Sequence, residues 1–139
     1  MDLWPLGHMD ELNKHISEIE QEILRLSDKY EAALNLIRTV PGFNKNPLTA
    51  IQVLSEIGGD MSVFPTAKHL VSWAGCCPRN DQSNQKIKST RISRAGSYFK
   101  PVLVQVANAL IKSKKHSEFT SRYKRIKARR GHKKAIIAI

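Results

Sequence analysis

The sequence has no long hydrophobic run. None of its apolar stretches approaches the roughly 20 residues that a helix needs to cross a bilayer, so the sequence excludes a transmembrane protein. The N-terminus also lacks a basic segment followed by a long apolar stretch, the pattern that marks a secretory signal. We therefore expect a cytoplasmic protein.

Cysteine is scarce, because the chain has only Cys76 and Cys77, which are adjacent. Neighbouring cysteines form a disulfide only with strain and cannot link distant segments, so we expect both to be reduced thiols. The histidines are scattered, and no Cys/His spacing resembles a zinc site. The sequence predicts no metal site and no cofactor within this chain.

Acidic residues are scarce after residue 40, where only Glu56, Asp60, Asp81 and Glu118 occur. A two-metal phosphoryl-transfer centre needs several clustered carboxylates, and these four show no pairing pattern. Basic residues are abundant there, because residues 79–139 carry seventeen Lys and Arg against two acids, a net of +15 in a chain of net charge +11. A protein this basic usually binds a polyanion, either a nucleic acid or an anionic membrane face.

Residues 10–38 combine an acidic surface with an apolar stripe whose spacings alternate between four and three. Such a stripe predicts one long helix with a helix–helix seam. It is narrower than the apolar face of most globular helices, so we favour a coiled coil that forms a homodimer or higher oligomer. The alternative is a single amphipathic helix packed on its own domain. We define the apolar stripe as Leu12, Ile16, Ile19, Ile23, Leu26, Tyr30, Ala33 and Ile37.

A Pro41-Gly42 turn separates this helix from a second one that starts near Pro47 and ends at Gly58-Gly59. Proline in the first turn and glycine after the last are typical helix boundaries. The pattern is a helix-hairpin-helix, whose turn can offer backbone N–H groups to a DNA phosphate. Gly42 and Lys45 are therefore candidate nucleic-acid contacts, although the spacing alone favours a plain connector.

Further helices complete an all-α fold class. We predict helices over 66–75, with Thr66 as its cap, 97–113 and 117–130, and the start of another apolar helix at Ala135. In the first of these we expect Leu70, Val71 and Ala74 to face inward and Trp73 to lie in the core. Because the chain stops in the first turn of the last helix, we expect it to be truncated there.

Residues 79–95 are polar and basic, which predicts a long exposed loop or an irregular hairpin. A loop of this length is usually functional, and this one is a candidate phosphate-binding surface. The basic helix over 117–130 could also lie along a nucleic-acid backbone, although a charge run is often only a solvated face. The candidate contacts in these two segments are Arg79, Lys86, Lys88, Arg91, Arg94, Arg125, Arg129 and Arg130.

Ser83 lies in the middle of this basic loop. A serine that attacks a phosphodiester needs exposure and nearby cations to stabilise the anionic transition state. No histidine lies close in sequence, so a general base is not evident. From the residues alone, a solvated turn serine is the commoner interpretation.

Three blocks together resemble one known family. They are residues 39–43 (TVPGF), residues 64–80 (FPTAKHLVSWAGCCPRN) followed by Ser83 and Gly96, and residues 123–136 (YKRIKARRGHKKAI). Their order and content resemble the C-terminal transposase domain of the IS116/IS110/IS902 type of insertion-sequence transposases, a family that includes Piv-like DNA recombinases. The resemblance covers residues 39–139.

The resemblance implies a function and partners that composition alone cannot indicate. It implies a transposase or DNA recombinase whose C-terminal domain carries an essential serine, and the fifth position after Pro78 places that serine at Ser83, as the nucleophile that forms a covalent link to DNA. It implies a separate N-terminal RuvC-like domain whose DEDD carboxylates bind Mg²⁺. It also implies DNA and a bridge (guide) RNA as partners, assembly into dimers or tetramers, and a bacterial, nucleoid-associated protein.

The organisation that follows has three parts. We expect residues 1–9, with Gly7-His8-Met9, to be a tag or cloning scar, residues 10–38 to be a coiled-coil linker helix, and residues 39–139 to be the transposase domain. Alone, this chain should bind nucleic acid weakly and catalyse nothing. The alternatives are a non-enzymatic helical nucleic-acid-binding module, or mainly a coiled-coil assembly element.

Overall fold

The computed structural model describes residues 4–78, 81–83, 86–89 and 91–139, and describes the side chains of these except at 4–6, 81–83 and 86–88. An antiparallel hairpin pairs the strands β1 (Asp81–Ser83) and β2 (Lys86–Ser89). All other regular elements in these ranges are helical, which confirms the helical class. The α-helices are α1 (Trp4–Ser27), α2 (Glu31–Thr39), α3 (Pro47–Ile57), α4 (Ala67–Trp73), α5 (Phe99–Leu110), α6 (Ser117–Arg130) and α7 (His132–Ile137).

The predicted long N-terminal helix is present, but it starts at Trp4 and is interrupted. A 3-10 turn over Asp28–Tyr30 separates α1 from α2. The Ser27 hydroxyl donates to the Leu24 carbonyl at 2.7 Å, a side-chain-to-backbone bond of the kind that often bends helices. The apolar stripe is exposed along α1, with Ile16 53% and Ile19 60% accessible. The stripe therefore has no covering element along most of α1 within the described part of the chain, whereas its α2 members Ala33 and Ile37 pack against the cluster between α2 and α3.

Capping residues set the boundaries of α3 much as predicted. The Asn46 side chain accepts a hydrogen bond from the Leu48 N–H at 2.9 Å, and Pro47 occupies the first turn. At the other end Gly58 has a φ of +77° and donates its N–H to the Leu54 carbonyl at 2.8 Å. Both devices satisfy backbone groups that a helix end leaves unpaired.

The core forms around α5, which packs between α3 on one side and α7 on the other. Pro101 lies in the first turn of α5, where the missing N–H costs nothing. Ala107 of α5 packs with Tyr123 of α6 and with Ala135 and Ile136 of α7, and a smaller cluster joins α2 to α3 through Leu34, Ala50 and Leu54. The main cluster consists of Phe43, Val53, Ala74, Phe99, Val102, Val106 and Leu110.

The expectation for the inward face of α4 was partly wrong. Ala74 is buried and Leu70 is half-buried, but Val71 is 43% exposed and Trp73 is 41% exposed. The helix has only seven residues, which is less than two full turns, so it covers little of the core. The Trp73 ring packs at the edge instead, 5.5 Å from Phe64 and 5.8 Å from Phe99 between ring centroids.

Thr66 occupies the predicted N-terminal position of α4, but its hydroxyl lies 2.8 Å from the His69 ring nitrogen and caps no backbone N–H. The helices over 97–113 and 117–130 are present as α5 and α6, and the last apolar helix begins at His132 as α7. No helix in the described ranges is long and apolar enough to cross a membrane.

Candidate nucleic-acid interface

The Pro41–Asn46 turn packs directly on α5. Gly42 has a φ of +94°, and a methyl group added to it would lie 2.6 Å from Val106 Cγ1 and 3.2 Å from Leu110 Cγ. The next residue, Phe43, is buried in the main cluster. Close packing therefore accounts for the glycine at position 42, whether or not the turn also contacts a phosphate.

A cleft of about 260 Å³ lies between this turn and the connection from α5 to α6. Lys45 and Lys115 on its wall are both exposed, and neither ammonium has a carboxylate partner among the described residues. His116 also lines it, with its Nδ1 3.4 Å from a Glu118 carboxylate oxygen. We call this the basic cleft, and its full lining is Gly42, Asn44, Lys45, Ala109, Leu110, Ser113, Lys115 and His116.

Sequence reasoning identified Lys45 and missed Lys115. The signal was present, because residues 112–116 read Lys-Ser-Lys-Lys-His between two helices. What the sequence could not show is that this connection lies opposite the Pro41–Asn46 turn, some seventy residues earlier in the chain. The packing of Gly42 against α5 brings the two together.

The helix α6 has one buried position and a basic exterior. Tyr123 is buried, and its hydroxyl forms a 2.8 Å hydrogen bond with Nδ1 of His132 at the start of α7. Arg125, Arg129 and Arg130 are exposed. These are the residues of α6 that the sequence predicts as contacts to a nucleic-acid backbone. Arg129 and Arg130 lie in the last turn, where a positive charge also complements the negative end of the helix dipole.

The predicted nucleophile lies in the β-hairpin. Ser83 is the last residue of β1, and its backbone pairs with that of Lys86, the first residue of β2. The side chains of Ser83, Lys86 and Lys88 lie outside the described residues, as does the whole of Arg79. The hairpin form agrees with one of the two forms that we expected for residues 79–95.

The described residues that flank the hairpin are Pro78 on one side and residues 91–95 on the other. Pro78 and Ile92 form an isolated antiparallel bridge beyond the two strands, which extends the pairing toward the helices. Arg91 and Arg94 follow on the exit side and are both exposed. Two of the predicted cations therefore flank the segment that carries Ser83.

Where the hairpin joins the helices, Cys76 and Lys100 lie close together. Partial burial raises the pKa of the Cys76 thiol, and the nearby Lys100 ammonium opposes that change. Both Cys76 and Cys77 are free and half-buried. A raised pKa keeps Cys76 protonated and unreactive at neutral pH.

The chemistry available in the described residues is cationic. No three His, Cys, Asp or Glu residues in this part of the chain lie close enough to hold a metal ion. The exposed Lys and Arg residues come instead from the Pro41–Asn46 turn, the hairpin flank, the α5–α6 connection and α6. Such a set can bind phosphates and stabilise negative charge.

The comparisons with known proteins agree on one family. The model of the transposase IS116/IS110/IS902 family matches residues 34–124, more than half of the chain. The pilin gene-inverting proteins of Moraxella lacunata and Moraxella bovis are each 34% identical over 85 residues, which is 58% of this chain. The matched region is 26% of each relative, so the chain spans about a quarter of their length. No solved structure matches the chain.

Proposed function

The chain belongs to the transposase IS116/IS110/IS902 family, and from this we propose that it is the DNA-binding, serine-bearing domain of a DNA recombinase. In this proposal Ser83 is the nucleophile, and the exposed cations hold the DNA phosphates around it. The partners are DNA and a guide RNA, in the cytoplasm at the nucleoid. The identity with two pilin gene-inverting proteins supports recombination as the reaction.

The observation that supports the proposal most is the position of the Ser83 backbone. It ends β1 at the turn side of the hairpin, opposite Lys86, and the exit strand leads to the exposed Arg91 and Arg94. A nucleophile that attacks a DNA strand must be accessible to the phosphodiester backbone. Adjacent guanidinium groups can contact the phosphate oxygens.

The proposed step is a transesterification. The Ser83 hydroxyl loses its proton as its oxygen forms a bond to the phosphorus. The phosphorus–oxygen bond to one end of the cut DNA strand breaks, and the leaving oxygen takes up a proton to become a DNA hydroxyl. Cations nearby lower the energy of the pentacoordinate anionic transition state. The DNA is then held as a phosphoserine ester until another strand end attacks.

The Mg²⁺ that the family resemblance implies would bind elsewhere. The described residues offer no cluster of carboxylates that fits this ion, which prefers oxygen ligands in octahedral geometry. We propose that a RuvC-like domain separate from this chain holds it, and no step above passes through the metal.

The test of the nucleophile is Ser83→Ala in the longer protein that carries this chain. We expect strand cleavage and the covalent protein–DNA product to disappear, while DNA affinity changes less than about twofold because one neutral hydroxyl contributes little to a salt-dependent interface. Ser55→Ala is the matched control, since Ser55 is an exposed serine on α3. Cleavage by the Ser83 variant at the normal rate would contradict the proposal.

The second candidate is a helical nucleic-acid-binding module without catalysis. The basic cleft favours it, because Lys45 and Lys115 can hold a phosphate with no chemistry. Under that hypothesis Ser83→Ala changes nothing, so the same variant distinguishes the two. Both predict binding that weakens steeply with salt, by close to one power of the salt concentration for each phosphate contacted, and Lys45→Met with Lys115→Met should reduce that slope.

We also propose that residues 10–38 join copies of the chain. The exposure of the apolar stripe on α1 supports this, because an apolar seam along a helix usually packs against another helix. The proposal is independent of the role of Ser83.

A further inference from the structure

The segments that enter and leave the β-hairpin touch each other backbone to backbone. A methyl group added at Gly75 would lie 2.5 Å from the Ala95 carbonyl oxygen, and one added at Gly96 would overlap the Ala74 carbonyl. Real Cβ atoms essentially never approach another atom within 3.0 Å. Both glycines also have a φ of +68°, so the contact requires glycine on both sides.

Lys100 ties this contact to α5. Its ammonium donates to the Ser93 carbonyl at 2.7 Å, and its backbone N–H donates to the Gly96 carbonyl at 2.9 Å. The ammonium also lies 2.8 Å from where a methyl group on Gly75 would be. One side chain in the first turn of α5 thus spans both segments. We call the contact of residues 74–75 with 93–96, together with Lys100, the stem clamp.

The stem clamp is the main described connection between the hairpin and the helices. Among the contacts of the described residues, β1 and β2 pair chiefly with each other. Phe99, next to Lys100, is buried in the main cluster. Among the described residues, 74–75, 93–96 and 100 therefore fix the orientation of the hairpin relative to the helical core.

We propose that Gly75, Gly96 and Lys100 are positioning residues, which fix where the hairpin presents Ser83 to a phosphodiester. This rests on the proposed function of Ser83 and adds to it a reason why the serine can act from a projecting hairpin. Small misplacements are costly in catalysis, because a shift of about 1 Å can reduce a rate on the order of a hundredfold. The clamp holds the two ends of the hairpin against each other and against α5.

The first experiment measures amide hydrogen exchange in this chain. Lys100→Met keeps the length of the side chain and removes the donor, so we expect exchange at 81–89 to quicken about tenfold, because a hydrogen bond from a charged donor is lost. Exchange within α5 should stay the same. Gly58→Ala is the control, because Gly58 has a φ of +77° with nothing within 4 Å. Unchanged exchange at 81–89 in the Lys100 variant would overturn the clamp.

The second experiment separates binding from cleavage in the longer protein. For Lys100→Met and Gly96→Ala we expect the cleavage rate at saturating DNA to fall at least about tenfold, with DNA affinity within about twofold. Lys100→Arg, which restores a donor, should recover part of the rate. Equal losses of affinity and rate would show a merely structural role and would overturn the inference.

The Ser83→Ala variant tells the two failures apart. If it loses cleavage while the clamp variants keep it, the positioning role is wrong and the nucleophile stands. If Ser83→Ala cleaves normally, the proposed function is wrong, whatever the hydrogen exchange of the hairpin shows.

Discussion

The helices α1 and α5 separate apolar from polar residues to a similar degree. They differ in whether the rest of the chain buries the apolar face. α5 buries five residues, including Phe99 and Val102, at the centre of the fold. From Gly7 onward α1 buries only Ser27, in its last turn, and leaves its apolar stripe in solvent. The charge follows the same division, since residues 1–40 have a net charge of −4 and residues 79–139 one of +15.

This difference shows that a periodic pattern of apolar residues predicts an apolar helix face. The pattern does not predict which element packs against that face. For α5 the cover comes from α3, α7 and the Pro41–Asn46 turn of the same chain. For α1 the described residues leave most of the apolar stripe exposed, and the proposed pairing of copies would cover it. This contrast can be tested from both sides.

The largest effect should come from the buried helix. Phe99→Ala should lower the free energy of unfolding by about 3–5 kcal/mol, because a large buried side chain leaves a cavity. Ile16→Ala on α1 should change it by less than about 0.5 kcal/mol in dilute solution, where copies are apart. Denaturant titration measures both. A comparable loss from Ile16→Ala would show that α1 is covered within one chain.

The next effect concerns association. Ile16→Asp combined with Ile23→Asp should lower the association constant about a hundredfold or more, because uncompensated charges in a seam cost several kcal/mol. Light scattering against concentration measures it. Leu36→Asp is the matched control, since Leu36 is 71% exposed but lies outside the stripe. If the double variant and the Leu36→Asp control both leave the molar mass unchanged, α1 does not form an association seam.

A smaller effect should mark the turn that covers α5. Gly42→Ala should destabilise the fold by about 1–3 kcal/mol more than Gly58→Ala, because overpacking adds to the backbone strain that both share. Gly42 faces Val106 at 2.6 Å, whereas Gly58 faces open space. Thermal unfolding of the pair measures the difference. Equal losses would mean that the turn is loosely packed on α5.

The smallest effect should come from the α6–α7 contact. Tyr123→Phe removes the hydrogen bond to His132 and should cost about 0.5–1.5 kcal/mol. Tyr98→Phe, at a tyrosine that is 72% exposed, should stay within about 0.5 kcal/mol. Denaturant midpoints compare the two. If the variants cannot be distinguished, the buried hydroxyl contributes no net stability.

Local signals explain what the sequence could predict of this fold. Proline and glycine mark both ends of α3, and glycine 131 separates α6 from α7, so these boundaries were accessible. The break at Asp28–Tyr30 has no such marker, because its bond from Ser27 to Leu24 depends on a side-chain rotamer. The exposure of Trp73 depends on how little a seven-residue helix covers, which is a property of packing.

The residues of the candidate site also divide into those that the local sequence could predict and those that depend on the fold. The cations of the hairpin flank and of α6 could be predicted from composition, whereas Lys115 depends on a contact between distant segments. The role of Ser83 came from the family resemblance and not from its surroundings in the sequence. The stem clamp could not be predicted from the sequence, because nothing in the spacing of Gly75, Gly96 and Lys100 shows that they lie close together in the fold.

The length of α1 sets the distance over which the proposed pairing of copies would act. Its 24 residues make a rod of about 36 Å, at 1.5 Å per residue. Under that proposal, an antiparallel pair of α1 helices would hold the rest of the two chains about one rod length apart, whereas a parallel pair would place them side by side. The polarity of the pairing would therefore determine the spacing between the two basic regions at residues 79–139.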